Sequence, residues 1–290
     1  MFPPKAPKAQ KVSNKEFSWD DVILPPLPPL RGFILLNIIE NGQSFTMYEA
    51  NHDFHGKCIV KAYKPEYAFV AEYELYCFRI LRSHPHIITV YDAWEFNKSH
   101  YIAMECPDGT LYDLVDLPEK DIKNAVYQIA IGLNHLHKNK IVHFDIKPKN
   151  IIYKQQSDGS RIYKLTEFGL AERFDMVYSN SFQCDIVNGC FEKTSLWYRS
   201  YELLLLSDEP ITEKADVWSL GCIIYELTAG YALFNELSQT TNLEHYKKIV
   251  QKGWTHLNQH KSHLLTIALD CLNPIVSKRL SITAVLKRVL

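Results

Sequence analysis

Between residue 32 and about residue 103, apolar positions fall in short runs: GFILLNII, SFTMYEA, KCIVKAY, HIITVYDAW and HYIAMEC. Their β-branched and aromatic content predicts strands. One stretch breaks the texture. AFVAEYELYCFRILRS carries Phe69, Tyr73, Tyr76, Phe78, Ile80 and Leu81, which predict a helix with a thick apolar face. From residue 111 the period lengthens. DIKNAVYQIAIGLNHLHKN has Ile122, Val126, Ile129, Leu133 and Leu136 at helical spacing, and KADVWSLGCIIYELTAG is apolar nearly all round, the mark of a buried helix. LEHYKKIVQKGW and SHLLTIALDCL predict two further helices. The pattern is α+β, a small strand-rich part followed by a larger helical one, without internal repeats.

The chain of 290 residues is long enough for one large domain or two lobes sharing an interface. Its 32 Lys plus Arg balance 33 Asp plus Glu. That balance lacks the basic patch expected of a nucleic-acid or membrane-surface binder, so neither partner is expected. Seven cysteines are scattered without metal-ligand spacing, as reduced thiols would be. The first residues have no apolar core, and no uncharged run of about 18 residues could span a bilayer. The expectation is a soluble intracellular chain, cytoplasmic or nuclear.

Residues 1–31 form a polar, Pro-containing leader that ends in LPPLPPLR and is expected to be flexible. Pro26, Pro29 and Arg31 fit PxxPxR, an extended pattern that Src-homology-3 domains bind. The other reading is a stiff lead-in to the first strand.

The segment IVHFDIKPKNII at 141–152 sets Asp145, Lys147 and Asn150 on a turn between two short apolar pairs, Ile141-Val142 and Ile151-Ile152. An Asp on a rigid turn can accept a proton from a hydroxyl nucleophile. An Asn can hold a metal ion, and a Lys between them can steady a phosphoryl group. The set suits phosphoryl transfer, where catalysis is mostly positioning and charge neutralisation. Asp, Lys and Asn are also ordinary turn residues, so the loop alone decides little.

In these and other motifs the sequence resembles the eukaryotic protein kinase family, from about residue 33 to residue 290. HFDIKPKN resembles the catalytic loop, which implies Asp145 as base, Lys147 on the phosphate and Asn150 on metal. KCIVK resembles the third strand, making Lys61 the amine that grips the nucleotide phosphates. Glu74, or failing it Glu72, is its implied ion-pair partner. KLTEFGLA falls where a metal-binding Asp-Phe-Gly is expected, with Glu167 as the carboxylate. TSLWYRSYE resembles the end of an activation segment. KADVWSLGC resembles a central helix whose Asp216 ties down the catalytic-loop backbone, and Arg279 is placed to pair with Glu202. MEC at 104–106 resembles the gatekeeper and hinge. The resemblance places Gly42, Met47, Ile59, Glu105, Cys106 and Ile152 around the nucleotide. It implies a two-lobed fold, with an N-terminal lobe over 32–105 and a C-terminal lobe over 106–290.

Several positions depart from the family pattern. ENGQSFTM at 40–47 keeps only Gly42 of the Gly-rich loop, with Glu40 and Phe45 at other expected glycines. Such a loop must stand off the phosphates or hold them by fewer amides. Glu167 replaces Asp, and its extra methylene shifts the carboxylate by roughly 1.5 Å, where a misplacement near 1 Å can cost about a hundredfold in rate. Phe144 replaces the Arg that meets an activation-segment phosphate, so phosphorylation there is expected to matter less. Ile59 replaces a small residue over the adenine.

The resemblance implies transfer of the ATP γ-phosphate to Ser or Thr of protein substrates, with Mg²⁺, or Mn²⁺ in its place. Lys147, two after the base, and Thr194 before LWYR fit the Ser/Thr type. LWYR with Arg199 resembles the cyclin-dependent and mitogen-activated branch. The other reading is a pseudokinase, a scaffold or allosteric partner with weak or no catalysis.

Overall fold

The computed structural model describes residues 31–173, 193–205, 211–239, 243–257 and 262–290. Pro26 and Pro29 lie outside the described residues, as does the side chain of Thr194. Arg31 is described, and its guanidinium meets both carboxylate oxygens of Asp92 at 3.2 Å.

The strand-rich part forms one antiparallel sheet of β1 (Phe33–Asn41), β2 (Phe45–His52), β3 (Gly56–Tyr63), β4 (Val90–Phe96) and β5 (Ser99–Glu105), in the order β1-β2-β3-β5-β4. Period-two alternation sorts its residues between two faces. Cys58 and Val60 join Phe33, Ala50, Trp94 and Ala103 on one face. Ile59 and Tyr63 join Ile102, Met104 and, from the helical part, Ile152 on the other. HIITVYDAW becomes a strand only from Val90. Its first residues instead stitch the two parts together, with Ile88 N–H donating to Leu165 O at 2.9 Å and Leu165 N–H to His86 O at 3.0 Å.

Of the six apolar residues expected on the first helix, Leu81 is buried in the core and Tyr73, Tyr76, Phe78 and Ile80 pack against it; Phe69 does not. Helix α1 (Ala68–Leu81) buries Ala71, Glu74, Cys77 and Leu81, while Phe69 is 67% exposed. The helix turns a mixed face inward because its charged Glu74 has a partner there. In β1, Ile34, Leu36, Ile38 and Ile39 are each more than half exposed, because β1 is an edge strand and irregular after Leu35 and Ile38.

The helical part contains α2 (Glu119–Lys138), α3 (Tyr201–Leu205), α4 (Lys214–Ala229), α5 (Leu243–Leu257), α6 (His263–Cys271) and α7 (Ile282–Val289). In α2, Ile122, Val126, Ile129, Leu133 and Leu136 are all buried. Helix α4 is buried at every position from Ala215 to Tyr225 and ends at Gly230, whose φ of 81° suits a left-handed cap. A side chain at Gly221 would bring its Cβ within 2.8 Å of Cys271 Cβ, so glycine lets α4 and α6 approach. Ser262 and Ser281 cap α6 and α7, each accepting a backbone N–H three residues on. Five short strands complete this part: β6 (Gly109–Thr110), β7 (Ile141–Val142), β8 (Ile151–Gln155), β9 (Arg161–Leu165) and β10 (Glu172–Arg173). Strand β8 pairs with β6 and β9, and β7 pairs with β10. The arrangement is the two-lobed protein-kinase fold. Among the described residues no helix is long and apolar enough to cross a membrane.

Candidate active site

Strand β3 turns Lys61 toward the same face as Ile59 and Tyr63, because the three alternate along one strand. Lys61 is 1% exposed. Its Nζ lies 3.0 Å from Glu74 Oε2 and 2.9 Å from Glu167 Oε2. Of the two carboxylates expected on α1, Glu74 meets the ammonium; Glu72 is largely exposed, with His100 as its neighbour at 3.8 Å. Glu74 also accepts from Tyr63 Oη at 2.5 Å and from Phe168 N–H at 2.9 Å. Helix α1, β3 and the Glu167-Phe168 turn are therefore fastened to one carboxylate.

Burial works against the charge on Lys61, but Glu167 and Glu74 outweigh it and hold the ammonium well above its ordinary pKa. Burial pushes the Glu167 carboxyl above the usual carboxylate range. Lys61 offsets part of that rise, while Glu74 and Glu40 add to it. Two carboxylates thus share one cation.

The loop after β7 hangs from Asp216 on α4. Its Oδ2 accepts from His143 N–H at 2.9 Å, and its Oδ1 accepts from Phe144 N–H at 2.9 Å. His137 Nε2 lies 3.0 Å from the same Oδ2. These bonds hold Phe144 at a φ of 63°, a conformation a bulky residue takes only when its surroundings impose it. The Phe144 ring packs with Leu203, Ala215 and Ile211, an apolar seat where the family pattern has a cation. His143 Nδ1 accepts from Asp145 N–H at 3.3 Å, so its Nε2 carries the hydrogen and donates to Thr166 O at 2.9 Å.

Asp145 Oδ2 accepts from Asn150 Nδ2 at 2.7 Å and lies 3.0 Å from Lys147 Nζ. Asn150 Nδ2 also donates to Asp145 O at 2.8 Å. The amide group is thus turned so that Asn150 Oδ1 is the atom left for a cation. Thr166 N–H donates to Asn150 O at 3.1 Å, which makes Glu167 the next residue along from Asn150's neighbour. An amide oxygen and a carboxylate are hard oxygen donors, a set that fits Mg²⁺. Glu167 has a φ of 65°, and Phe168 behind it is fully buried against Phe78 and His143.

The Gly-rich segment makes the turn between β1 and β2. It is a tight hairpin folded down over Lys61. Gly42 N–H donates to Phe45 O at 2.9 Å, and Gly42 O accepts from Lys64 Nζ at 2.9 Å. The Phe45 ring centroid lies 4.4 Å from Lys61 Nζ, and that of Tyr63 lies 4.8 Å away. Met47 and Cys106 flank the apolar cluster containing Ile59, Met104 and Ile152. Glu105 turns its carboxylate away from this cluster, to Thr89 N–H at 2.6 Å and Lys164 Nζ at 2.5 Å.

Sequence reasoning missed Tyr63, Phe45 as a partner of Lys61, and the roles of His137 and His143. Tyr63 could have been found from period-two spacing alone. The contacts of the others depend on how the loops close.

The protein kinase domain family matches residues 37–290. The MAPK/MAK/MRK overlapping kinase of Homo sapiens is 34% identical over 180 residues, covering 59% of this chain and 39% of that protein. The calcium and calcium/calmodulin-dependent serine/threonine-protein kinase of Pisum sativum is 31% identical over 195 residues, covering 64% and 35%. Cyclin-dependent kinase 2 of Caenorhabditis elegans is 32% identical over 169 residues, covering 56% and 42%. The matches span less than half of each relative's own length. The chain belongs to the protein kinase domain family.

Proposed function

We propose that this protein transfers the γ-phosphate of ATP to Ser or Thr hydroxyls of protein substrates. The observation that carries the reading is the single assembly formed by Lys61, Glu74 and Glu167 beside the Asp145–Lys147–Asn150 loop. A hydroxyl oxygen forms the new bond to the γ-phosphorus, the bond from that phosphorus to the β-phosphate oxygen breaks, and the hydroxyl proton passes to Asp145. Lys147 steadies the moving phosphoryl group, and Lys61 holds the remaining phosphates. Asn150 and Glu167 would hold Mg²⁺, which when bound supplies charge neutralisation at the phosphate oxygens. Met47, Ile59 and Ile152 form the apolar walls of the base site. The lobes divide at 105/106, and the unpaired cysteines of the described residues suit an intracellular chain. The Pro26, Pro29 and Arg31 motif is proposed as a Src-homology-3 ligand, for which Arg31 must leave Asp92.

The test is transfer of labelled γ-phosphate to a generic Ser/Thr substrate. Asp145→Asn is expected to cut turnover by at least roughly 10²-fold, the low end for general base catalysis, with ATP affinity little changed. Equal rates in the two proteins would remove Asp145 from the mechanism. A second reading, a pseudokinase acting as scaffold or allosteric partner, is favoured by one observation: Lys61 already has two carboxylates and the Phe45 ring around it. No transfer by wild type under any metal supports that reading.

A further inference from the structure

Tyr63 stands two residues after Lys61 on β3 and has no part in the transfer step described above. It is 2% exposed. Its ring centroid lies 4.8 Å from Lys61 Nζ and 5.8 Å from the Phe45 ring, edge to face. A phenylalanine would serve that packing as well, so the hydroxyl needs a separate reason. Burying a hydroxyl is costly unless it is hydrogen-bonded, and this one donates to Glu74 Oε2 at 2.5 Å. Burial and the Glu74 charge hold the phenol well above its ordinary pKa, so it keeps its proton and remains a donor.

The oxygen it meets is the one Lys61 uses. Lys61 Nζ lies 3.0 Å from Glu74 Oε2 and 3.4 Å from Oε1, and Oε1 also accepts from Phe168 N–H at 2.9 Å. Tyr63 and Lys61 therefore share one acceptor atom. A hydrogen bond to an ionised oxygen is among the strong ones, so the phenol takes up part of the charge that would otherwise act on the ammonium. A nucleotide phosphate arrives as a third anion for Lys61. Of the two carboxylates already there, Glu167 can turn away, because its side chain is 25% exposed. Glu74 cannot, because its side chain is 2% exposed and bonded at both oxygens. Phosphate thus competes with Glu74 for Lys61, and Tyr63 sets the strength of that competitor.

We propose that Tyr63 is a positioning residue for phosphate binding: its hydroxyl occupies Glu74 so that Lys61 is held in place yet left available to nucleotide phosphates. Phenylalanine at this position keeps the ring and its contacts with Phe45 and Lys61. It returns Glu74 Oε2 to Lys61 alone, which binds the ammonium more tightly to the carboxylate. The inference rests on the reading of the cleft as a nucleotide site and is testable by binding, without transfer.

Calorimetric titration of the full chain with ATP and with adenosine, each with Mg²⁺, compares wild type with Tyr63→Phe. ATP is expected to bind the variant roughly tenfold more weakly, the low end for a hydrogen bond to a charged group. Adenosine, without phosphates, is expected to bind both proteins alike, which also shows that the variant is folded. In a Lys61→Met background the same change at Tyr63 should cost ATP nothing, because no ammonium remains to be tuned. A rise in KM for ATP with kcat little changed is the matching kinetic result. Equal ATP affinity in wild type and Tyr63→Phe, or ATP and adenosine weakened alike, overturns the proposal and makes Tyr63 a packing residue. So does an equal loss of ATP affinity in the Lys61→Met background. ATP that fails to bind wild type at all refutes the nucleotide site itself, and this inference with it.

Discussion

The Phe45 ring centroid lies 4.4 Å from the ammonium of Lys61, a buried lysine that two carboxylates also share. Lys61 is 1% exposed, so a phosphate can reach it only by displacing something. Glu74 is tied down by Tyr63 and Phe168, whereas Phe45 sits on a hairpin held by Lys64. The ring is the part that must move. A desolvated cation–π contact is worth about 1–2 kcal/mol, so Phe45→Gly should tighten ATP roughly five- to thirtyfold. Adenosine, without phosphates, should gain nothing. Titration of both ligands checks this, and an ATP affinity unchanged by the substitution would mean that phosphate never competes with the ring.

Arg279 and Glu202 form the deepest ion pair among the described residues, at 2.8 and 2.7 Å with both side chains fully buried. The guanidinium also donates to Asn273 O and Lys214 O, joining α3, α4 and the loop before α7. Arg279→Met strands a buried carboxylate and should cost about 3–5 kcal/mol in urea unfolding. The double variant Arg279→Met, Glu202→Leu removes both charges and should recover more than half of that loss. Additive losses in the double variant would show that the pair is not coupled.

Much of this architecture is legible in the sequence, but unevenly. The five apolar positions of α2 and the all-round apolar α4 follow from helical period alone, because burial there is set by local repetition. The Asp145–Lys147–Asn150 loop and the Arg279–Glu202 pair follow from the family motifs. The charge on the inward face of α1 does not follow from periodicity. Glu74 is a charge on the buried side, and only its partners Lys61, Tyr63 and Phe168, distant in sequence, make that burial favourable. The downfolded hairpin is equally hidden, since a missing glycine says what the loop cannot do and not where Phe45 goes.

Three histidines gather where the strand-rich part meets α2. His84 stacks on His135 with ring centroids 4.2 Å apart and lies 5.8 Å from His86. Burial, then His135 and His86, lower the His84 pKa to about 4. A histidine depressed in the folded state contributes stability that is fully present above its unfolded pKa, about 6.5. That contribution is lost as pH falls from about 6.5 toward 4, where only the unfolded chain takes up the proton. The melting temperature should therefore decline across this window. His84→Asn keeps an acceptor for the His86 N–H that His84 Nδ1 now takes, but cannot be protonated there. Its melting temperature should fall less over the same window, and an identical slope would place the acid sensitivity elsewhere.

Glu167 decides between the enzyme and the pseudokinase. Its carboxylate meets Lys61 at 2.9 Å, and its backbone is held at a φ of 65°. That left-handed conformation is several-fold enriched in Asp and Asn over other non-glycine residues, so a glutamate there carries strain an aspartate would carry less of. Glu167→Asp should therefore raise the melting temperature slightly, while it restores the shorter reach of the family pattern. Transfer should be kept or raised in the same variant. Glu167→Ala removes the carboxylate of the proposed metal pair, so transfer should be lost and Mg²⁺ should no longer strengthen nucleotide binding. Lys61 keeps Glu74 in that variant, so the fold should survive and the loss can be assigned to the site. Mn²⁺, with a looser demand on geometry than Mg²⁺, should serve wild type better than it serves Glu167→Asp. Transfer that persists undiminished in Glu167→Ala would take the metal away from this residue. A zero rate in all three proteins, with nucleotide binding indifferent to metal, would leave Glu167 as a structural partner of Lys61.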